Sequence, residues 1–384
     1  MQFEFATATR IVFGPGTVGS IGREAAALGR RAFVLTGADP QRAWPLLRDL
    51  ENQHVMHTAF RIVQEPTTDR VAEAAREAES RGCDLVIGIG GGSVIDAGKA
   101  VAALLANGGG LLQYLEVIGE GRPLLRPSVP CIAVPTTAGT GAEVTRNAVL
   151  DSPAHKVKVS MRSPFMLPRL ALVDPELTYS MPPALTAATG LDALTQLLEA
   201  FVSRNANPLT DGVCREGLQR VARSLYGAFA NGNDRQARED MCLASLCGGL
   251  ALANARLGAV HGIAGPFGGT FRAPHGAVCG RLLPLVAAAN IKALRERDPD
   301  AAAIGRFRDA ARIFTGDTGA TAEAGAAWLQ ALCGRLETPA LSTYGFASEH
   351  APDLIAHAMR SSSMKGNPID LTARELERIL KQAQ

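Results

Sequence analysis

The chain has 384 residues, 47% of them hydrophobic, and its 39 lysine and arginine residues nearly balance 37 aspartate and glutamate residues. A single hydrophobic core stops growing at roughly 250 to 300 residues, so this length predicts two domains. Because the charge is balanced and no basic run is interleaved with aromatic residues, we expect no nucleic-acid partner.

Two further global features argue against other classes of protein. The N-terminal sequence lacks the regions of a signal peptide, and no run of about 18 uncharged apolar residues follows, so we expect a cytoplasmic protein with no membrane partner. The seven cysteines are scattered and form no CxxC pair. This pattern favours buried free thiols over a disulfide framework or a thiolate zinc site.

The first part of the chain, up to about residue 175, alternates between short apolar runs and helical stretches. The apolar runs are RIVF, RAFVLTG, DLVIGIGG, CIAVPTT and LALVDP. Their alternation with segments such as TDRVAEAAREAESRG predicts βαβ units and an α/β domain with a mostly parallel sheet over residues 1–180. From Pro182 onward helical spacing dominates, which predicts an all-α domain over residues 181–384.

Two glycine-rich loops in the first domain compete as the binding site for dinucleotide phosphates. Gly14, Gly16 and Gly19 form a GxGxxG pattern, but Pro15 removes one amide donor from that loop, so a plain turn is favoured. The second loop opens a helix after the run DLVIG and comprises Gly90, Gly91, Gly92 and Ser93. Its amides and the helix dipole favour an anion, which makes it the better phosphate site.

Polar residues extend this second site. Asp96 and Lys99 fall in the first turns of the helix, where a helix-start carboxylate and a solvated charge are the alternatives. A third loop after the run CIAV clusters the hydroxyls of Thr136, Thr137 and Thr140, with a hydrogen-bonded turn as the alternative. Because open α/β sheets bind ligands at the carboxyl ends of their strands, the two loops predict a nucleotide crevice.

The second domain carries the residues suited to metal chemistry. The stretch TGLDALTQLLEAF places Asp192 and Gln196 four residues apart on a predicted helix. His261 and His275 stand 14 residues apart with four Gly or Pro residues between them, so we expect the helix to break there and a turn to bring the imidazoles together. Two unrelated histidines are the alternative.

These motifs together closely resemble the iron-containing (group III) alcohol dehydrogenase family. The resemblance covers nearly the whole chain, in FGPG, GGGSVIDAGKA, PTTAGTGAEVTRNAVL, LPRLALVDPELT, GLDALTQLLEAFVS, VHGIAGPFGG, PHGAVCGRLLP and GNPIDLTARELERIL. It implies a Rossmann-like dinucleotide-binding domain followed by a helical metal and substrate domain of dehydroquinate synthase-like type, in a homodimer.

For the cofactor, the resemblance implies NAD or NADP and makes GPGTVG a structural turn. It assigns the cofactor contacts to Gly90, Gly91, Gly92, Ser93, Asp96, Thr136, Thr137, Thr140, Asn147 and Lys158. The position that is usually Asp in NAD-specific relatives is Gly37 here, so a 2′-phosphate is not repelled, and Arg42 lies near enough in sequence to meet it. We expect NADP to be tolerated or preferred.

For the metal, the resemblance implies an Asp and a His four residues apart plus two further histidines 14 apart. Asp192, His261 and His275 match three of these positions, whereas Gln196 occupies the fourth. A neutral amide is a poorer ligand than imidazole for iron or zinc, so we expect a retained but weaker divalent site, with Gln196 as a ligand or as the holder of a metal-bound water. Gly265 is a second departure, because many members carry a proton-relaying histidine there.

The resemblance therefore implies an NAD(P)-dependent alcohol dehydrogenase or aldehyde reductase, in which Asp192, His261 and His275 serve metal-assisted hydride transfer. Two alternatives stay open. One is a metal-independent reductase of an oxo acid, similar to the maleylacetate reductases, in which the two histidines act on substrate directly and Arg146 or Arg272 pairs with its carboxylate. The other is a nucleotide-binding protein with a decayed site.

Overall fold

The computed structural model describes residues 2–155 and 157–384. These residues divide into an α/β unit, made of residues 6–137 and 141–179, and a helical unit. The helical unit comprises residues 180–384, the N-terminal segment up to Phe5 and the short segment 138–140. The main division falls between Tyr179 and Ser180, one residue from the boundary expected from the sequence. The two short segments of the helical unit are not predicted from the sequence.

The α/β unit is built on a parallel sheet. In the described part of the chain its strands are β1 (Ile11–Phe13), β2 (Arg31–Thr36), β3 (Met56–Arg61), β4 (Leu85–Gly90), β5 (Cys131–Pro135), β6 (Asn147–Ser152), β7 (Val157–Arg162) and β8 (Leu170–Val173). Six of them pair in the order β1-β8-β5-β4-β2-β3, and β6 and β7 form a separate antiparallel hairpin. The helices are α1 (Ile21–Ala26), α2 (Trp44–Asn52), α3 (Thr68–Ser80) and α4 (Gly92–Asn107).

Alternate side chains of the inner strands enter two different cores. In β2, Phe33 and Leu35 belong to one core, whereas Ala32 and Val34 belong to the other. Strands covered on both faces appear in a sequence as continuous apolar runs, which is why the inner strands are predicted from the sequence. The strand β3 is not, because it lies at the edge of the sheet and Phe60 is its one buried residue.

The GxGxxG loop is a turn at the end of β1. Gly16 adopts a left-handed conformation with φ of 75°, which glycine allows at no steric cost. The buried carboxylate of Asp174 accepts hydrogen bonds from the amides of Gly16 at 3.1 Å and Val18 at 2.9 Å. These amides are therefore already used within the protein, which favours the turn over a phosphate site.

The helical unit is built from helices that follow one another along the chain, as the amino-acid sequence predicts. Over the residues described, they are α5 (Pro183–Val202), α6 (Pro208–Ala230), α7 (Arg235–Ala255), α8 (Ala259–Phe271), α9 (His275–Arg297), α10 (Ala302–Thr315), α11 (Ala322–Arg335), α12 (Ala351–Arg360) and α13 (Ala373–Ala383). Of the described helices, α9 alone is long and apolar enough to cross a membrane. The helices α7 and α8 reach that length and apolar character only when taken together, and the chain bends by 100° between them. Because 72% of the apolar window of α9 is buried, it has the character of a core helix.

A buried lysine joins α4 to the segment that precedes the hairpin, and this segment carries a buried glutamate. The side chain of Lys99 is fully buried, and its Nζ lies 2.8 Å from Asp96 Oδ1 and 2.9 Å from the Ala142 carbonyl oxygen and from Thr145 Oγ1. The alternative of a solvated charge at Lys99 is therefore wrong. Close by in sequence, Glu143 is 2% exposed, and burial raises the pKa of its carboxyl group from 4.5 to about 7.

We expect Glu143 to make the stability of the protein fall as pH rises. Its pKa is higher in the folded state, so between pH 4.5 and about 7 the folded protein binds the extra proton, and raising pH favours the unfolded chain. Glu143→Gln removes this dependence, so the variant should gain up to about 3 kcal/mol relative to the unchanged protein between pH 4.5 and 8. Unfolding curves at pH 4.5 and pH 8 measure this change in the free energy of unfolding, with the exposed Glu79→Gln as control. A free energy of unfolding that changes with pH in the same way in the Glu143 variant and the unchanged protein would contradict the prediction.

Candidate active site

The two polar loops predicted to bind a nucleotide start side by side. The strands β4 and β5 are neighbours in the sheet, with Gly90 in register with Pro135, and the Thr136 amide donates to the Gly90 carbonyl oxygen at 2.9 Å. Gly91 is the N-cap of α4 and has no side chain to cap the helix. The Val94 amide donates to the Gly91 carbonyl oxygen at 3.0 Å, so the amides of Gly92 and Ser93 are the ones that can meet an anion. A methyl group added at Gly91 would lie 3.5 Å from the Thr137 side chain, so the two loops are in close reach.

The other predicted cofactor residues occupy different settings. Asp96 accepts a hydrogen bond from the Val149 amide at 2.9 Å in addition to its ion pair with Lys99. Lys158 lies on β7 with its Nζ 3.2 Å from Glu65 Oε1. Asn147 opens β6 and offers its carbonyl oxygen to Lys99 Nζ.

Gly37 and Thr140 complete the set of predicted cofactor residues. Gly37 follows β2, and a Cβ placed on it would meet nothing within 4 Å. Thr140 belongs to the helical unit. The preceding residue, Gly139, packs against α5, and a side chain there would lie 2.7 Å from Thr189, so only glycine lets this segment approach the helix so closely. Its carbonyl oxygen accepts a hydrogen bond from Gln196 Nε2 at 3.3 Å.

Three polar residues lie on one face of the buried helix α5. Asp192, Gln196 and Glu199 are 3%, 2% and 5% exposed, and their spacing of four and three residues places them on the same face. Asp192 and Gln196 are predicted from the sequence, whereas Glu199 is not. Its position seven residues after Asp192 is a signal that could have identified it.

The helices α8 and α9 bring the two histidines together through a break and a turn between them, as expected. The break lies beyond the glycine-proline stretch rather than within it, because α8 continues through Pro266 to Phe271. The chain reverses just beyond it, where Arg272 adopts a left-handed conformation, and α9 begins at His275. The ring centroids of His261 and His275 are 5.4 Å apart, so they are not unrelated residues.

Glycine residues in α9 allow it to approach α5 closely. A side chain at Gly276 would lie 2.0 Å from the Ala188 carbonyl oxygen, and one at Gly280 would lie 2.5 Å from the Leu191 side chain. His275 and Cys279 each precede one of these glycines in sequence. The close packing of the two helices therefore carries both side chains to Asp192.

The result is a compact group of side chains with metal-ligating atoms. One atom from each of Asp192, His261, His275 and Cys279 lies within 4.8 Å of all the others. His261 Nε2 is 3.3 Å and His275 Nε2 is 3.7 Å from Asp192 Oδ1. The Cys279 sulfur is 3.6 Å from His275 Nε2 and 4.0 Å from His261 Nε2. Cys279 is not predicted from the sequence, although its position one helical turn after His275 is a usable signal.

Glu199 holds His261 in place. Its carboxylate accepts hydrogen bonds from His261 Nδ1 at 2.7 Å and from the Val260 amide at 2.6 Å, close to the N-terminus of α8. Asn367 Oδ1 accepts a hydrogen bond from the neighbouring Ala259 amide at 3.0 Å, and the absence of a side chain at Gly258 leaves room for Glu199 and Asn367. Because its Nδ1–H donates a hydrogen bond to Glu199, His261 presents Nε2 to the centre of the group.

Gln196 presents its amide nitrogen to Asp192. The distance from Nε2 to Asp192 Oδ2 is 3.3 Å, and the same nitrogen reaches the Thr140 carbonyl oxygen. Both neighbours are acceptors, so the hydrogen-bond pattern itself assigns the NH₂ group to this side. Oε1 lies toward Gly248, whose missing side chain would be 2.9 Å away, and finds no hydrogen-bond donor among the described residues.

The electrostatics of the group favour a cation. Burial raises the pKa of Asp192, but the hydrogen bond from His261 and the charges of both histidines bring it below its ordinary value. Burial lowers the pKa values of His261 and His275, but Cys279 and Asp192 raise both above the ordinary value. Protons thus compensate the buried anionic groups, and a divalent ion bound by the same atoms would displace them. The donor set therefore fits a metal ion.

A parallel-sheet unit with a glycine loop at a helix N-terminus and a helical unit with a buried group of metal-ligating atoms are together typical of dinucleotide- and metal-dependent enzymes. Comparisons with known proteins give the family. The family model described as "Iron-containing alcohol dehydrogenase" matches residues 8–175, and that described as "Fe-containing alcohol dehydrogenase family, C-terminal" matches residues 186–384.

Individual proteins agree with these family matches. Alcohol dehydrogenase 4 of Schizosaccharomyces pombe is 37% identical over 336 residues, which are 87% of this chain and 77% of that protein. A crystal structure of 1,3-propanediol oxidoreductase has a TM-score of 0.92 at 32% identity and covers 100% of both chains. Sulfoacetaldehyde reductase from Bifidobacterium kashiwanohense, in complex with NAD⁺, has a TM-score of 0.88 at 29% identity and covers 99% of this chain and 98% of its own.

The chain belongs to the iron-containing alcohol dehydrogenase family, which confirms the family and fold predicted from its motifs. It is an oxidoreductase that acts on CH–OH groups.

We expect Glu199→Gln to lower the affinity of the protein for divalent metal. The variant keeps the size of the side chain but loses the charge that holds the Nδ1 proton of His261. Loss of such a partner typically costs 10–100-fold in metal affinity, so an apparent Kd about 10–100-fold higher is expected in competition with a chromophoric chelator. Glu377→Gln, an exposed position on α13, is the control. An unchanged Kd for zinc in the Glu199 variant would show that the carboxylate only caps α8.

Proposed function

We propose that this enzyme interconverts an alcohol and an aldehyde by hydride transfer to or from a nicotinamide cofactor, with a divalent metal ion in the helical unit. The observation that carries the proposal is the group of Asp192, His261 and His275, whose ligating atoms converge in the interior of that unit. Their convergence weighs against a decayed site. We further propose a cytoplasmic homodimer, on the family resemblance alone.

The residues of the site divide the work as follows. Asp192, His261 and His275 would hold the ion, and a bound divalent ion acts as a Lewis acid that polarises the substrate oxygen. Glu199 fixes the tautomer and the ring orientation of His261. A side chain at Gly265 would meet nothing within 4 Å, so there is room here for a water to carry the proton that a histidine relays in many relatives.

On the cofactor side, Gly90, Gly91, Gly92 and Ser93 would hold the pyrophosphate with the amides that open α4. The threonines of the neighbouring loop, together with Asp96, Asn147 and Lys158, would complete the contacts. We propose NADP as the preferred cofactor, because no carboxylate occupies position 37. Arg42 is exposed nearby in sequence, where it pairs with Asp39 at 3.7 Å and could turn to a 2′-phosphate.

We expect His261→Ala and His275→Ala each to lower aldehyde-dependent NADPH oxidation by on the order of 10³-fold, since Lewis-acid stabilisation is worth several kcal/mol. NADPH binding, followed by cofactor fluorescence, should be unchanged, and the exposed His357→Ala should keep full activity. Chelator should inactivate the unchanged protein, and added zinc or iron should restore it. Full activity after complete metal removal would instead favour a metal-independent reductase.

Gly37→Asp should shift the cofactor preference toward NAD. An aspartate fits the open space at this position and would repel a 2′-phosphate while it pairs with the ribose hydroxyls. The ratio of kcat/KM for NADPH to that for NADH should fall at least about tenfold, which corresponds to about 1.4 kcal/mol. Gly37→Asn, which has the same shape without the charge, should change the ratio much less. Equal ratios in both variants would remove position 37 from cofactor selection.

A further inference from the structure

The cysteine at position 279 lies among the metal-ligating side chains and has no assigned role. Cys279 is fully buried on α9, one turn after His275. Its sulfur is the fourth atom of the group whose members all lie within 4.8 Å of one another. By contrast, Cys333, another buried cysteine of the same unit, donates its thiol proton to the Gly280 carbonyl oxygen at 3.2 Å. Cys279 instead faces the two imidazoles.

The spacing of the four atoms is close to that of a tetrahedral metal site. With metal–nitrogen and metal–oxygen bonds of about 2.0–2.1 Å and a zinc–sulfur bond of about 2.3 Å, tetrahedral ligands lie about 3.3 Å apart for nitrogen and oxygen and about 3.6 Å apart for sulfur and nitrogen. The histidine nitrogens lie 3.3 Å and 3.7 Å from Asp192 Oδ1. The sulfur lies 3.6 Å and 4.0 Å from the same nitrogens. Small rotations of the side chains would complete the site.

Gln196 does not compete for this fourth position. Its nitrogen faces Asp192, and its oxygen lies on the side of Gly248. Reversing the amide would place the oxygen against Asp192 Oδ2 and the Thr140 carbonyl oxygen, which are both acceptors. The side chain is therefore set to orient the Asp192 carboxylate by donating a hydrogen bond to it.

We infer that the Cys279 thiolate is the fourth protein ligand of the metal, beside Asp192, His261 and His275, and that Gln196 is a positioning residue for Asp192. This inference rests on the metal site of the proposed function and adds the identity of the metal. A soft thiolate in a tetrahedral set selects zinc over divalent iron, for which a facial set of two histidines and one carboxylate is typical. Because zinc can take a fifth ligand, four protein groups do not close the site to substrate.

The first test is X-ray absorption spectroscopy of the unchanged protein loaded with one equivalent of zinc. One sulfur at about 2.3 Å with nitrogen and oxygen ligands at about 2.0–2.1 Å is expected. This measurement needs no variant, so it does not depend on how a substitution folds. A zinc shell made of nitrogen and oxygen alone would overturn the role of Cys279, while chelator-sensitive activity would leave the proposed metal-assisted reaction intact.

Cys279→Ser and the matched Cys333→Ser extend the test. In the cobalt-substituted protein, the thiolate-to-cobalt charge-transfer absorption should be lost in the first variant and kept in the second. In anaerobic competition between zinc and divalent iron, the zinc-to-iron ratio bound should fall at least about tenfold only with Cys279→Ser. An unchanged ratio and spectrum in a folded Cys279 variant would overturn the inference. If the unchanged protein binds none of these metals, this inference and the metal-dependent part of the proposed function both fail.

Gln196→Ala should keep the charge-transfer absorption, since the thiolate remains, but should weaken cobalt binding by about tenfold or more through loss of the hydrogen bond to Asp192. Gln196→Asn, which shortens the donor, should recover little of this affinity. Loss of the absorption or a loss of one oxygen ligand from the zinc shell in Gln196→Ala would show that Gln196 is itself a ligand.

Discussion

A buried carboxylate on α5 is the constraint around which the helical unit is organised. Asp192 is 3% exposed in the middle of a twenty-residue helix, where an isolated charge would be very costly. Polar neighbours offset that cost: two imidazoles approach one carboxylate oxygen, and the Gln196 amide donates a hydrogen bond to the other. Removing one partner from such a set leaves an uncompensated buried charge, so the contacts that stabilise the helix packing are the same contacts that favour a cation at this position.

The packing that brings these groups together depends on the absence of side chains. Gly276 and Gly280 let α9 approach α5, and Gly258 lets the Glu199 carboxylate reach the first turn of α8. In the α/β unit, Gly91 has a different effect, because it leaves the first amides of α4 without a side-chain cap. One unit thus compensates a buried negative charge with side chains, whereas the other has a helix N-terminus whose dipole favours negative charge.

Much of this architecture follows from the sequence because its signals are local. The strands buried on both faces, the glycine loop before α4 and the spacing of Asp192 and Gln196 are all visible in short windows. The edge strand β3 is not visible, since Phe60 is its one buried residue. The helix α8 runs through Pro266, because the tertiary contacts of the unit override the local cost of a proline within a helix.

Glu199 and Cys279 show the limit more sharply, because both contact His261, which is 62 residues from Glu199 and 18 residues from Cys279 in the chain. A count of cysteine spacing favours free buried thiols and has no means of detecting a thiol that a helix contact delivers to two imidazoles. What the sequence does contain is helical periodicity from a known ligand: seven residues after Asp192 and four after His275. Applying that periodicity to each candidate ligand would have selected both residues.

Gln196 stands where the family resemblance implies a histidine, and this difference has a joint chemical consequence with the thiol at position 279. Three histidines with one aspartate leave a divalent ion with one formal positive charge, whereas Asp192 with a Cys279 thiolate neutralises it entirely. A ligand set with a thiolate would hold zinc more firmly, because sulfur is the softer donor. The zinc ion in that set would withdraw less electron density from a substrate oxygen. Such a site exchanges Lewis acidity for retention of the metal, and hydride transfer then depends more on how the residues around the site orient substrate and cofactor.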